Sequence, residues 1–386
     1  MRCAKPADRD LAQQCQVVRE IVDAVAATRA RGEMRPDRMD QARMGQDLSD
    51  GPSEPRDGDP QPCDPRQCDL YRAFFDAEAM AARQAWAKGL KDDSGRTVQA
   101  ALKRASELGA MRRVALPPDA RALDDIERDF PHGAEVIGFV RKRTALCSVV
   151  PDAPMQLPPI LLHGPPGTGK TALAQRLARW LNVPVMQLDM STVETSFKIN
   201  GLDSGYASGK PGLIWDALDQ ECISPVVLLD ELDKCAATNR HDGLGWLLGL
   251  LEPSTASSYR DSCLGLPVDA SFISWIATCN DLDPIDRPLR SRFRVFDVHA
   301  PTQEQMRAVA RSVWRRMQET EPWASTFEDQ WTDDLLDALA QRTPREIRQA
   351  LEDALAQAAL EGRRRLKVED LPPAQPEVKR PVGFIC

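Results

Sequence analysis

No stretch of the 386-residue sequence supplies the roughly 20 apolar residues that a bilayer-spanning helix needs, so no membrane insertion is expected. The N-terminus also lacks the uninterrupted apolar core of a secretory leader. There is no cationic excess: 50 Lys and Arg face 58 Asp and Glu, a net charge of −8. That balance argues against broad attraction to nucleic acid or an anionic membrane surface. The one local basic run, Arg363, Arg364, Arg365 and Lys367, reads as a solvated helix end where cations favour the dipole. Histidine is scarce, with four widely spread residues, and the ten cysteines form no framework. Cys63 and Cys68 lie close, but no second pair with zinc-like spacing follows them. A structural zinc and a disulfide scaffold are therefore disfavoured, and the thiols read as reduced cysteines of a cytoplasmic protein.

What is present suits an ordinary globular chain. Hydrophobic residues make up 42% and charged residues 28%, enough to bury a sizeable core in two or three units. Residues 1–33 carry a stripe at Leu11, Cys15, Val18, Val22 and Val25, alternating four and three apart, which predicts one helix. Residues 34–68 are rich in Pro, Gly, Asp and Arg and read as a disordered linker. Over 69–119 helical periodicity returns at Tyr71–Leu90 and Val98–Leu108, with Phe74, Met80, Trp86, Leu102 and Leu108 expected inside. A further helix is expected over Ala134–Ser148.

Within 120–300 the pattern changes to short apolar runs separated by helices: Ile160–His163, Val185–Leu188, Val226–Asp230, Phe272–Thr278 and Val295–Val298. Alternating strand and helix predicts an α/β domain whose five-stranded parallel sheet is covered on both faces. Over 301–373 only helical patterns remain, at Gln303–Gln318, Thr332–Gln341 and Pro344–Glu361. They predict a small all-helical domain, followed by a Pro-rich tail at 374–386.

The chemistry concentrates after the first of those strands. Gly164, Pro165, Pro166, Gly167, Thr168, Gly169, Lys170 and Thr171 follow a strand and open a helix, the setting a phosphate-binding loop requires. Glycines let the backbone curl so that its N–H groups face the phosphates, and the helix N-terminus adds a favourable field. Lys170 is expected to reach the β- and γ-phosphates of ATP, and the Thr171 hydroxyl to hold Mg²⁺. The apolar run Val226–Leu229 ends in Asp230 and Glu231. Asp230 is expected on the metal through its water shell, and Glu231 as the general base toward the attacking water.

With these two motifs on the page, the stretch from about Leu123 to Leu371 resembles the AAA+ ATPase superfamily, and within it the ATPase module of Lon-type proteases. The residues that carry the likeness are GPPGTGKT at 164–171, PVVLLDELDK at 225–234, LLGLLEPSTASSYRD at 247–261, ATCN at 277–280 and PLRSRF at 288–293. The resemblance implies a P-loop fold with a helical lid and a ring, hexameric in the family, with ATP between subunits. It assigns Asn280 to the polar residue that orients the attacking water. It assigns Arg292 to the arginine finger, with Arg290 as competitor, and Arg345 to the lid arginine above ATP, with Arg348 as competitor. Arg292 or Arg290 could instead pair with a surface carboxylate such as Asp286. Thr343, Pro344 and Glu346 mark a capped helix start on their own evidence, which puts Arg345 in a first turn where the dipole disfavours a cation. A bound phosphate would compensate.

The segment Gly201–Gly212 falls where the family carries a pore-facing loop, and Tyr206 matches the aromatic that grips polypeptide. In Lon-like modules an aliphatic residue and Gly follow that aromatic; here Ala207 and Ser208 do. A flexible Gly- and Ser-rich surface loop is the competing reading. A Lon-type protease domain would follow the lid, and none does before Cys386, so peptidase activity is not expected. The favoured function is an ATP-driven remodeller of protein substrates. A nucleic-acid-directed motor and a nucleotide-gated scaffold with little turnover are the alternatives.

Overall fold

The computed structural model describes residues 70–150, 153–193, 196–206, 208–237 and 244–373. The N-terminal stripe, the linker with Cys63 and Cys68, Ala207 and the tail 374–386 lie outside the described residues.

Nine strands are described: β1 (Tyr71–Ala73), β2 (Met111–Arg113), β3 (Ile160–His163), β4 (Val185–Asp189), β5 (Val226–Asp230), β6 (Tyr259–Arg260), β7 (Pro267–Val268), β8 (Ser274–Cys279) and β9 (Arg294–Asp297). Five of them form one parallel sheet in the order β4-β5-β8-β3-β9. Successive side chains of a strand point to opposite faces, so a strand covered on both sides must be apolar throughout. β5 shows this directly. Val227 and Leu229 enter the core on one face, with Trp215 and Trp275, while Val226 and Leu228 enter the other, with Leu173 and Leu177.

The first of these cores reaches well beyond the strands. Phe74, Met80, Val98 and Leu102 pack in it with Leu161, Trp215 and Val227, so residues 70–114 share a core with the sheet. The expectation of a helical region over 69–119 holds only in part, because β1 pairs antiparallel with β2. The helix predicted from Tyr71 starts only at Ala77, where Asp76 accepts the N–H of Ala79 as N-cap. Trp86 is not inside either: it is 39% exposed, with the Arg83 guanidinium 3.3 Å from its ring centre. Leu108 is half-buried. A helix at Ala122–Asp129 was not anticipated, since it buries only Leu123 and Ile126.

After β9 the chain forms the helices Gln303–Thr320, Asp333–Ala340 and Pro344–Leu360 around a third core that includes Trp314, Leu335, Ile347 and Leu351. Two reciprocal capping boxes start the long ones, Thr302 with Gln305 and Thr343 with Glu346. Arg315 pairs with Asp129 at 2.8 Å and ties this helical unit to the helix Ala122–Asp129.

None of the five described cysteines, Cys147, Cys222, Cys235, Cys263 and Cys279, forms a disulfide. No described helix is long and apolar enough to cross a membrane.

Candidate functional site

The strand β3 ends at His163 and the chain turns through Gly164 to Gly169 into the helix Lys170–Trp180. Only glycine suits the turn. Gly164 has φ +155° and lies so close to Val298 O that a Cβ would clash at 2.2 Å, while Gly167 and Gly169 hold φ of +81° and +83°. His132 steadies the loop from outside, with Nε2 2.8 Å from Thr168 O. A carbonyl can only accept, so Nε2 carries the proton. Burial lowers the His132 pKa, which keeps the ring neutral.

Lys170 is buried, and its three ammonium protons all find acceptors: Gly164 O at 2.7 Å, Pro165 O at 2.7 Å and Asn280 Oδ1 at 3.0 Å. Burial is the main cause that lowers its pKa, opposed by Cys279, Asp233, Asp230 and Glu231. Such a charge is ready to exchange loop carbonyls for phosphate oxygens. Thr171 Oγ1 donates to Asp230 Oδ1 at 2.8 Å, so two hard oxygen donors stand side by side, as a Mg²⁺ site requires. The residues present therefore fit ATP with Mg²⁺.

Thr278, which the motifs did not single out, ties the acidic pair together. Its hydroxyl donates to Asp230 Oδ1 at 2.6 Å and accepts the N–H of Glu231 at 3.1 Å. Glu231 has φ +55°, a left-handed conformation that costs a non-glycine residue about 1–3 kcal/mol. The bond from Thr278 helps hold that strained turn. In the sequence Thr278 appears only as the second residue of the ATCN stretch at 277–280.

A cleft of ≈ 460 Å³ opens beside the loop, lined by Phe130, His132, Gly169, Ala172, Arg316 and Arg345 among others. Three arginines, Arg316, Arg345 and Arg348, share its lining with the carboxylates of Asp129 and Glu352. Burial is the main cause lowering the Arg316 pKa, followed by repulsion from Arg179 and Arg176, and a bound anion would relieve both. Of the two lid arginines, Arg348 is committed to Glu321 and Glu352, each at 2.9 Å. Arg345, in the first turn of Pro344–Leu360, has no hydrogen bond or ion pair among the described residues.

Arg292 stands apart from this cluster. Its Nη1 donates to Pro288 O at 2.9 Å, and its carboxylate neighbour is Glu252 at 3.7 Å, not Asp286. Among the described residues, no hydrogen bond or ion pair joins it to Lys170, Asp230 or Asn280 of its own chain. The side chain of Arg290 also makes no hydrogen bond or ion pair among the described residues.

The loop bearing Tyr206 is closed at its base by backbone hydrogen bonds. Leu202 and Lys210 exchange backbone hydrogen bonds at 2.9 and 3.2 Å, and Tyr206 between them is 63% exposed. At the loop's base the fully buried Asp261 accepts N–H bonds from Gly212 at 2.7 Å, Cys263 at 2.9 Å and Leu264 at 3.1 Å. Gly201, at φ +89°, presses so close to this carboxylate that a Cβ would lie 2.6 Å from it. Asp261→Asn turns an NH₂ toward the Gly212 N–H, and should cost about 1–3 kcal/mol in urea unfolding. Burial pushes the Asp261 pKa up to about 6, against the three N–H donors. The folded state thus holds a proton there more tightly than the unfolded chain. The resulting stabilisation is complete below the unfolded value of 3.8 and is lost as pH rises through about 6. The stability gap between parent and Asp261→Asn should accordingly widen from pH 7 toward pH 4.

Comparison with known proteins locates this arrangement. Residues 160–299 match the family described as ATPase family associated with various cellular activities (AAA). A Lon protease of Koribacter versatilis (strain Ellin345) is 36% identical over 152 residues, covering 39% of this chain and 19% of its own. Lon protease 4 of Sorangium cellulosum (strain So ce56) is 32% identical over 203 residues, 52% of this chain and 24% of its own. The chain thus spans about a fifth of the length of the curated relatives it matches. Among solved structures, the S. cerevisiae Hsp104:casein complex in its extended conformation aligns with a TM-score of 0.51 at 14% identity. The alignment covers 73% of this chain and 53% of that one, a likeness of fold.

Proposed function

Since residues 160–299 are an AAA+ ATPase module related to that of Lon proteases, we propose that this chain binds and hydrolyses ATP with Mg²⁺ to remodel or unfold protein substrates, working as a ring, most simply a hexamer. The observation that carries the reading is the convergence of Lys170, Asn280, Thr171 and Asp230 within hydrogen-bond reach at the ends of β3, β5 and β8. In it Lys170 and the loop N–H groups hold the phosphates, and Arg345 with Arg316 adds positive charge from the lid side. Thr171 and Asp230 would hold Mg²⁺, whose charge offsets the negative charge of the β- and γ-phosphates. Glu231 accepts the proton of the attacking water, which Asn280 helps orient. Arg292 serves a neighbouring subunit's site. Turnover by the purified protein tests the reading, measured with and without a polypeptide such as casein, the protein bound in the Hsp104:casein complex. ATP-dependent assembly without turnover would favour a nucleotide-gated scaffold instead.

Tyr206 is the residue proposed to grip substrate. The closed Leu202–Lys210 loop holds its exposed ring clear of the fold, and burial of such a side chain against a client is worth on the order of 1.5–3 kcal/mol. Tyr206→Ala should retain basal ATPase and ring size but lose stimulation by casein. If the loop only shapes a subunit contact, the same change should lower assembly and basal ATPase together. Ring size by light scattering, read beside the ATPase rate, separates the two.

A further inference from the structure

The guanidinium of Arg292 is restrained on two of its three nitrogens. Nη1 donates to Pro288 O at 2.9 Å. Nε is buried and makes no hydrogen bond, and the group answering its charge is the Glu252 carboxylate, with Oε2 at 3.7 Å. Glu252 comes from another element. It precedes the short helix Pro253–Ala256, yet its side chain makes no capping hydrogen bond there. Its backbone is fixed nonetheless, because its carbonyl accepts the N–H of Thr255 at 3.1 Å and of Ala256 at 2.9 Å. The main chain is pinned and the carboxylate is left for Arg292.

This pair is a poor stabilising device. Its side chains are 33% and 50% exposed, and ion pairs of that exposure add little to stability. What it can do is confine a long side chain that otherwise samples many rotamers. At 3.7 Å the contact is Coulombic rather than a formed hydrogen bond, so it guides the guanidinium without occupying its donors. Nη2 has no partner among the described residues.

We propose that Glu252 is a positioning residue for the arginine finger: with Pro288 O it holds Nε and Nη1 and leaves Nη2 to the γ-phosphate of a neighbouring subunit. The inference rests on the reading of Arg292 as a finger acting in trans. Orientation of this kind carries weight in catalysis, where a misplacement of about 1 Å can cost on the order of 10²-fold in rate. A finger's contact strengthens as charge develops on the transferring γ-phosphate, so it acts on the transition state rather than on ATP binding. The expected signature is therefore a fall in kcat with an unchanged KM for ATP.

ATPase kinetics of the full chain test this with Glu252→Ala, the isosteric Glu252→Gln, Arg292→Ala and the double variant Glu252→Ala/Arg292→Ala. Glu252→Ala should lower kcat about tenfold at constant KM. Glu252→Gln, which keeps the shape and removes the charge, should lower kcat in the same direction and serves if the Ala protein fails to fold. The double variant should be no slower than Arg292→Ala alone, because residues acting through one another do not add. Mixing Glu252→Ala subunits with Lys170→Ala subunits should restore part of the activity, since the latter bring an intact finger to an intact phosphate loop. The proposal is overturned if Glu252→Gln folds and retains full kcat while Arg292→Ala is defective. An additive loss in the double variant, or a change confined to KM, overturns it equally. Normal turnover by Arg292→Ala is a different failure, for it removes the finger reading itself.

Discussion

Glu231→Gln should leave ATP binding intact and lower turnover by roughly 10²–10⁴-fold, the usual contribution of a positioned general base. Glutamine keeps the size of the side chain and loses only the ability to take a proton. The local backbone argues that position matters here: Glu231 is held at φ +55°, with its N–H bonded to Thr278 Oγ1 at 3.1 Å. Lys170→Ala should fail one step earlier. Removing a buried cation from an anionic ligand costs roughly 2–5 kcal/mol, about 30-fold or more in affinity. It also leaves Asn280 Oδ1 and two loop carbonyls without their donor. Titration with a fluorescent ATP analogue, followed by single-turnover hydrolysis, distinguishes the two variants. A Glu231→Gln protein that hydrolyses ATP at the parent rate would refute the assignment of the base. Glu231→Gln is also the means to find the substrate, since a complex that binds ATP without turnover should retain its client for mass spectrometry.

Arg292→Ala should lower turnover by about 10³–10⁵-fold, the range an arginine finger contributes, while ATP binding persists. The loss should be partly reversible by a second defective protein. Arg292→Ala subunits keep the phosphate loop and lack the finger; Lys170→Ala subunits keep the finger and lack the loop. Where the two meet in one order, a good loop faces a good finger and activity returns. The structure is consistent with that division, because the Arg292 contacts are Pro288 and Glu252 rather than the Lys170 cluster. Co-assembly confirmed by light scattering, with no recovery of hydrolysis, would count against a finger acting in trans. The same mixture containing Arg290→Ala in place of Arg292→Ala decides between the two arginines.

The sheet and its phosphate loop were legible because their determinants are local. A strand buried on both faces reads as a near-continuous apolar run, and Ile160–Leu162 of β3 and Val226–Leu229 of β5 are such runs. A loop that curls around phosphate must have glycine where φ is positive, and Gly167 and Gly169 supply it. Capping is equally short in range, which is why Thr343 and Glu346 marked the helix start at Pro344. Edge positions were less sharp: the expected strand at Phe272 begins at Ser274, and Val185–Leu188 extends to Asp189.

Sequence alone therefore determined the α/β core and the order of its elements, and it marked candidate nucleotide-binding residues, since each depends on neighbours within a few positions. Tertiary structure decided what depends on distant partners. Periodicity could not tell that Tyr71–Ala73 would become a strand, because the partner it pairs with, Met111–Arg113, is some forty residues away. Nor could it tell that Trp86 would stay at the surface under Arg83. Arg345 and Arg348 stand three apart on one helix, and the sequence offered the first with the second as its competitor. Ion pairs to Glu321 and Glu352 commit Arg348 and leave Arg345 to the cleft. Asp261 and Glu252 both fall in the LLGLLEPSTASSYRD stretch, yet nothing in that stretch tells that one closes the Tyr206 loop and the other faces Arg292. A carboxylate's role is set by the donors and charges that the fold brings within a few ångströms of it, and the linear order of residues does not contain those distances.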